Sequence, residues 1–179
     1  MADETLFRPR LQEAISFAAR AHQGQFRKDG VTPYSAHVMR VAATVSIEFG
    51  CLDEDVILAA LLHDVLEDTS HDYDDLAERF SPTVADMVVN LTKDSTLPKK
   101  TRDQVYYENL ATCDWKTRIV KAADSLDNLR EGIATGKRPK AAEKARKALD
   151  LAHGDEPSLI RAREILSCTL EAEAAQPAA

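Results

Sequence analysis

Apolar residues recur every three or four positions along nearly the whole chain, the period of helices lying against a shared core. Pro9 precedes Leu11, Ala14, Ile15 and Ala18 at that spacing. After Gly24 the pattern gives way to a polar stretch, QFRKDGVTPY, where Gly30 and Pro33 act as breakers. Ser35 is placed to cap a second helix with Val38, Val41, Ala42 and Val45 on its apolar stripe, and Gly50 to end it. Asp53 is the expected N-cap of a third helix, with Leu52 and Ile57 at hydrophobic-staple spacing. That helix carries Ile57-Leu58-Ala59-Ala60-Leu61-Leu62, apolar on every side, which predicts a central, buried position.

Downstream the pattern predicts a short helix over 72–80 and another opened by Ser81-Pro82, serine as N-cap and proline at N1, ending near Leu91. Residues 92–100, TKDSTLPKK, read as a basic loop. Helices resume at 101–112 and 115–131, with breaks near Asp114 and at Gly132–Gly136, and two more are expected at 139–152 and 157–170. No strand of sustained alternation, no repeat and no interdomain linker is present. The expected architecture is an all-α, single-domain helical bundle of roughly eight to ten helices. It would span residues 1–170, with 171–179 as a disordered tail.

Composition narrows the function classes. The chain has 179 residues, 44% of them hydrophobic, enough for one domain with a real core. Thirty acidic against 23 basic residues leave a net charge of −7, which argues against sequence-independent nucleic-acid binding. No apolar run reaches the roughly 18 residues a membrane span needs, and MADETLFRPR has neither the basic nor the apolar region of a secretory signal. Cys51, Cys113 and Cys168 are odd in number and scattered, as expected of reduced thiols in the cytoplasm. Nothing in the pattern sets an oligomeric state.

The chemistry concentrates where polar groups interrupt apolar helices. In AALLHDVLEDT (59–69) a His63-Asp64 pair breaks the most apolar helix, and Glu67 and Asp68 follow within a turn. Burying such groups without partners costs roughly 2–7 kcal/mol for a neutral polar group and more for a charge. A divalent metal would compensate, and imidazole with carboxylate suits manganese, iron or zinc. A salt-bridged core histidine with a carboxylate at the helix end would also satisfy this segment taken alone. His37, on the striped second helix, and Asp124, ending the run IVKAAD, add a second imidazole and a second carboxylate. Together His37, His63, Asp64 and Asp124 offer four candidate ligands from three helices able to converge in a bundle core.

This order of residues resembles the H…HD…D pattern of HD-domain metal phosphohydrolases. The segments AHQGQFRKDGVTPYSAH (21–37), AALLHDVLEDT, LTKD (91–94) and KAADSLDNLR (121–130) resemble successive blocks of the hydrolase domain of RelA/SpoT proteins. The likeness is strongest to stand-alone small alarmone hydrolases of the metazoan SpoT homologue type. TLPKKTR (96–102) adds to that second comparison, and the similarity covers roughly residues 11–135. The resemblance implies a manganese-dependent enzyme that removes the 3′-pyrophosphate from ppGpp or pppGpp, leaving GDP or GTP. It implies His37, His63, Asp64 and Asp124 as metal ligands, and Glu67 and Asp68 as the pair managing the attacking water and the leaving group's proton. It also implies Arg27 and Lys28 as a substrate-binding loop and Asn128 as a contact to the ribose. A small nucleotide, rather than a nucleic acid or a membrane, is the expected partner. Such a polyanion accounts for Arg27, Lys28, Lys93, Lys99, Lys100 and Arg102 on an otherwise acidic chain. The plain alternative for Glu67 and Asp68 is a solvated helix end, and Lys99 and Lys100 read as a solvated charge run rather than as substrate clamps.

Three positions depart from the family's usual form; one, Val38 in place of the proline usual after the first histidine, alters only the helix start. Ser125 stands where a basic residue is usual, and Asp127 where an aromatic residue or histidine precedes the asparagine. An anion gained and a cation lost beside a phosphate-rich site would weaken binding if both side chains face the ligand. Positions 125 and 127 lie about 200° apart on a helix, so at least one can face away. Other expectations compatible with the pattern are hydrolysis of an adenine alarmone or of the NADPH 2′-phosphate, and a sensor that binds alarmone without cleaving it.

Overall fold

A computed structural model describes residues 4–136 and 138–175. Among the described residues there are ten α-helices: α1 (Glu4–Ala21), α2 (Ser35–Ala43), α3 (Glu54–Leu62), α4 (Val65–Asp68), α5 (Tyr73–Arg79), α6 (Pro82–Leu91), α7 (Lys99–Thr112), α8 (Trp115–Ala134), α9 (Arg138–Leu151) and α10 (Pro157–Ala174). A π-helical turn, Thr44–Glu48, extends α2. No strand occurs among them, only an isolated bridge between Phe26 and Pro33. No described helix is long and apolar enough to cross a membrane. The all-α bundle expected from periodicity is the fold observed.

The centre is α3, whose residues Val56 through Leu62 are all buried. Helices α1, α2, α6 and α8 pack around it. An amphipathic helix needs one covered face, but one apolar all round must be covered on every side, and this one is. Its start is pinned twice. The Asp53 side chain accepts from the Val56 backbone N–H, and Lys116 Nζ lies 2.6 Å from Asp53 Oδ2, tying the first turn of α8 to that of α3. Arg10 of α1 bridges Glu54 and the Phe80 carbonyl, closing the same end. Side-chain caps at Asp72, Ser81 and Asp114 open α5, α6 and α8.

Three boundaries differ from the sequence expectation. Ser35 is the first residue of α2 and not its cap, because the Ala36 and His37 amides already bond to the carbonyls of Pro33 and Tyr34. Gly132 does not break α8, which runs to Ala134; Gly132 is buried there, and packing offsets its weak helix propensity. The turn falls at Gly136, whose φ of 73° suits glycine. The tail expected over 171–179 is helical to Ala174, as α10 continues past its last buried residue, Leu170; residues 176–179 lie outside the described residues.

The central position of α3 sets a measurable expectation. Leu58 is fully buried and Leu52, just before the helix, is 79% exposed. Leu58→Ala should cost about 2–5 kcal/mol of stability by lost burial and residual cavity. Leu52→Ala should stay within about 0.5 kcal/mol. Urea unfolding of the two variants checks this, and equal losses would refute the layered arrangement around α3.

Candidate metal centre

Three helices converge on one point at the edge of this core. His37 stands in the first turn of α2, His63 is the C-cap of α3, Asp64 follows it as the N-cap of α4, and Asp124 lies midway along α8. The apolar helix ends at the His63-Asp64 pair, so both side chains leave the core at its rim. His37 Nε2 is 3.4 Å from Asp124 Oδ1 and 3.5 Å from Asp64 Oδ2. His63 Nε2 is 3.0 Å from Asp64 Oδ2 and 3.8 Å from Asp124 Oδ1. One donor atom each from His37, His63 and Asp124 fall within 4.8 Å of one another. Asp64 joins them through its contacts to both imidazoles. All four expected ligands are therefore brought together.

The far side of each ring decides which nitrogen is available. His37 Nδ1 lies 2.6 Å from Asp127 Oδ2 and His63 Nδ1 lies 2.9 Å from the Ala60 carbonyl. Both partners are acceptors, so each Nδ1 donates, which leaves each Nε2 as the nitrogen that faces the centre. His63 Nε2 is buried with no hydrogen-bond partner, its contact to Asp64 lying off hydrogen-bond geometry. A buried polar atom left without a partner needs an explanation, and a cation at this point supplies one. Two imidazole nitrogens and two carboxylates suit a divalent transition metal.

The electrostatics fit the same reading. Burial opposes charge on every group here, but for Asp64 the neighbouring His63 and His37 rings prevail and hold its carboxyl well below the usual range. For Asp124 the Lys121 ammonium is the chief counterweight to burial, and that carboxyl too is held well below it. Burial likewise disfavours the charged form of His37, yet hydrogen bonds to Asp124, Asp127 and Asp64 push it up to about 10, so Nε2 carries a proton that a bound cation would displace. Tyr34 donates its hydroxyl to Asp64 Oδ2 at 2.7 Å. The carboxylates are thus ionised and aimed, as metal ligands must be.

A cleft of about 230 Å³ opens from this centre. Glu67 and Asp68 line it from α4, exposed to solvent, and Glu67 Oε2 accepts from the Lys93 backbone amide at 3.1 Å. Arg27, Lys28 and Asn128 line it as well. Arg27 is buried, with Nε 2.8 Å from Glu131 Oε1 and Nη2 2.9 Å from Asn128 Oδ1. Asn128 donates in turn to Asp124 Oδ1 at 2.5 Å, so loop 22–34 is tied through α8 to the metal residues. Lys28 Nζ reaches Glu131 Oε2 at 3.2 Å. Of the basic loop over 92–100, Lys93 lines the cleft, whereas Lys99 and Lys100 are exposed and outside its lining. Neither Ser125 nor Asp127 lines it: Ser125 is buried and Asp127 turns toward α2.

Periodicity alone left Lys121, Tyr34 and Tyr106 without roles, and all three line this cleft beside Lys144. The buried Lys121 ammonium sits 2.7 Å from Asp124 Oδ2 and over the Tyr106 ring. Its signal was in the sequence: a lysine inside the apolar run IVKAAD, three residues before an aspartate, requires a partner on its own helix face. His22, which belongs to the AHQGQ block, is buried and bonds Gln25 Oε1 at 2.9 Å; Gln25 donates to the Asp68 carbonyl, which orders the loop. A larger hollow, about 490 Å³, lies on the α2–α8 face behind the centre. Its Arg40 and Arg130 are paired with Asp127 and Glu48, and none of the buried unpaired polar atoms of the described residues lines it. The smaller cleft is the one that opens on the converging His and Asp side chains.

Known proteins resemble this chain in sequence and fold. The HD domain family matches residues 14–151. The guanosine-3′,5′-bis(diphosphate) 3′-pyrophosphohydrolase MESH1 of Drosophila melanogaster is 41% identical over 123 residues, covering 68% of this chain and 69% of its own. Its Xenopus tropicalis counterpart is 42% identical over 120 residues, covering 66% of this chain and 67% of its own. A solved structure described as a metazoan orthologue of SpoT that hydrolyses ppGpp superposes with a TM-score of 0.77 at 33% identity, covering 89% of this chain and 94% of its own. The matched span holds His37, His63, Asp64 and Asp124, and this chain belongs to the HD domain family of hydrolases.

Proposed function

We propose that this chain is a guanosine-3′,5′-bis(diphosphate) 3′-pyrophosphohydrolase, cleaving the 3′-pyrophosphate of ppGpp or pppGpp to give GDP or GTP and pyrophosphate. The observation that carries the reading is the pair of imidazole Nε2 atoms, one buried and unpartnered, facing two ionised carboxylates at the foot of a lysine-lined cleft. The names of the relatives point to the same substrate. His37, His63, Asp64 and Asp124 would hold one divalent metal, manganese in this proposal. Bound there, it would lower the pKa of water and offset charge on a phosphoryl oxygen.

The chain's own residues supply the rest. Glu67 and Asp68 sit on the cleft wall one turn past the ligand pair, where a carboxylate can take the proton of the attacking water. As the phosphorus–oxygen bond to the 3′-carbon oxygen breaks, a proton returned from this pair leaves the product as a hydroxyl. Lys93, Lys121 and Lys144 surround the cleft with positive charge that favours a polyphosphate over a neutral ligand. Arg27, Lys28 and Asn128 form the nucleoside side of the site, and the ties of Arg27 to Glu131 and Asn128 preset its geometry before substrate arrives. Residues 1–170 act in this proposal as one catalytic unit, in keeping with the packing of α10 on α8 and α9. Three free thiols suit a reducing, cytoplasmic setting.

The test is pyrophosphate release from ppGpp by metal-stripped protein, then by the same protein supplied with manganese. Release that depends on manganese, with GDP as co-product, is expected. Side-by-side reactions with pppApp and NADPH identify a different substrate, and silence with ppGpp at proven metal occupancy refutes the proposal.

A further inference from the structure

One carboxylate of the site has no place in the reaction as described. Asp127 is 6% exposed, points away from the cleft and stands three residues beyond Asp124 on α8. Three residues advance a helix by about 4.5 Å. That separation lets α8 put one carboxylate on each nitrogen of the His37 ring: Asp124 Oδ1 at 3.4 Å from Nε2, and Asp127 Oδ2 at 2.6 Å from Nδ1. Helix α2 answers with the same spacing. Arg40, three residues after His37, contacts Asp127 Oδ1 through Nε at 2.5 Å and Oδ2 through Nη2 at 2.9 Å. The other candidate histidine ligand, His63, has only a neutral carbonyl behind it.

We propose that Asp127 is a positioning residue for the metal centre: it accepts the Nδ1–H of His37, fixes the ring's tautomer and rotation, and turns the Nε2 lone pair to the metal, while Arg40 braces it from behind. The inference rests on the metal reading of the site. A carboxylate behind a ligating imidazole raises the ligand's basicity and holds the ring in place, and loss of such a partner typically weakens metal affinity by about 10–100-fold. It also gives the acidic residue at 127 a use on the side of α8 remote from the polyphosphate. The competing account is a plain ion pair between Asp127 and Arg40 that fastens α2 to α8. That account makes the two partners equivalent, so removing either one would have the same effect on metal affinity.

The experiment is calorimetric titration of metal-stripped protein with manganese, at a temperature where unfolding curves show each variant fully folded. Asp127→Ala should weaken manganese binding by about 10–100-fold, and Asp127→Asn by less, since an amide oxygen still accepts from Nδ1–H. Arg40→Met should weaken it less than Asp127→Ala. Manganese affinity within about two-fold of wild type for both Asp127 variants, with His37→Ala clearly weakened, would overturn the inference and leave the metal site standing. Equal losses for Arg40→Met and Asp127→Ala would overturn it in favour of the ion pair. Unchanged affinity in His37→Ala would bring down the metal reading and the inference with it.

Discussion

Replacing Glu67 by glutamine together with Asp68 by asparagine should lower turnover of ppGpp by roughly 10²–10⁴-fold, the range for loss of general acid–base catalysis. Manganese affinity should be unchanged. The two carboxylates line the cleft but do not belong to the group formed by His37, His63 and Asp124. Amides keep the volume and the hydrogen bond that Glu67 accepts from the Lys93 amide, so the cleft wall should keep its shape. What they lose is basicity. Single-turnover kinetics with parallel metal titration separates the two effects. Turnover within a few-fold of wild type would remove Glu67 and Asp68 from the chemistry and return them to a solvated helix end.

The second large effect is on stability, and it distinguishes two ligands that look equivalent. In metal-free protein, Asp124→Ala should destabilise the fold by about 3–5 kcal/mol, because it strands the buried Lys121 ammonium that now sits 2.7 Å from Asp124 Oδ2. His63→Ala, also measured without metal, leaves Asp64 its contacts to His37 and to the Tyr34 hydroxyl and should cost less. Both should abolish tight manganese binding. Adding Lys121→Met to Asp124→Ala removes the stranded cation, so the double variant should regain stability without regaining metal. Urea unfolding and metal titration of the three proteins give the answer. Equal destabilisation by the two single variants would mean that Lys121 finds another counter-charge.

Much of the candidate site was legible before any coordinates. A histidine and an aspartate at the end of a helix apolar on all sides, a histidine on an apolar stripe and an aspartate closing IVKAAD are polar groups that a core tolerates only with partners. Four such residues from three helices therefore announced a meeting point, and the helices bring them to one. The resemblance of the surrounding blocks to an HD-domain hydrolase is borne out by the family match over residues 14–151. Lys121 was legible on the same principle, as a cation inside an apolar run, but its role depends on Asp124 lying within reach.

Other features resisted reading because they depend on direction. Residues 125 and 127 both lie on α8 near Asp124, and spacing cannot tell which faces a ligand. The orientation of α8 against α2 decides it, turning Asp127 to His37 and Arg40 and burying Ser125. Lys99 and Lys100 follow Lys93 closely in the basic stretch, yet the start of α7 carries them out of the cleft while Lys93 stays in it. Ser35 has a side chain able to cap a helix, but backbone carbonyls from the preceding turn reach the amides first.

The sequence by itself determined the helical class, the buried place of α3, most of its caps and the identity of the candidate ligands. Each follows from local periodicity, from side-chain chemistry, or from the cost of burying a polar group. Only the tertiary structure decided which nitrogen of each histidine faces the centre, which carboxylate stands behind His37, and which lysines reach the cleft. These depend on the rotation and crossing of helices far apart in sequence, which packing of whole faces sets and no local pattern encodes.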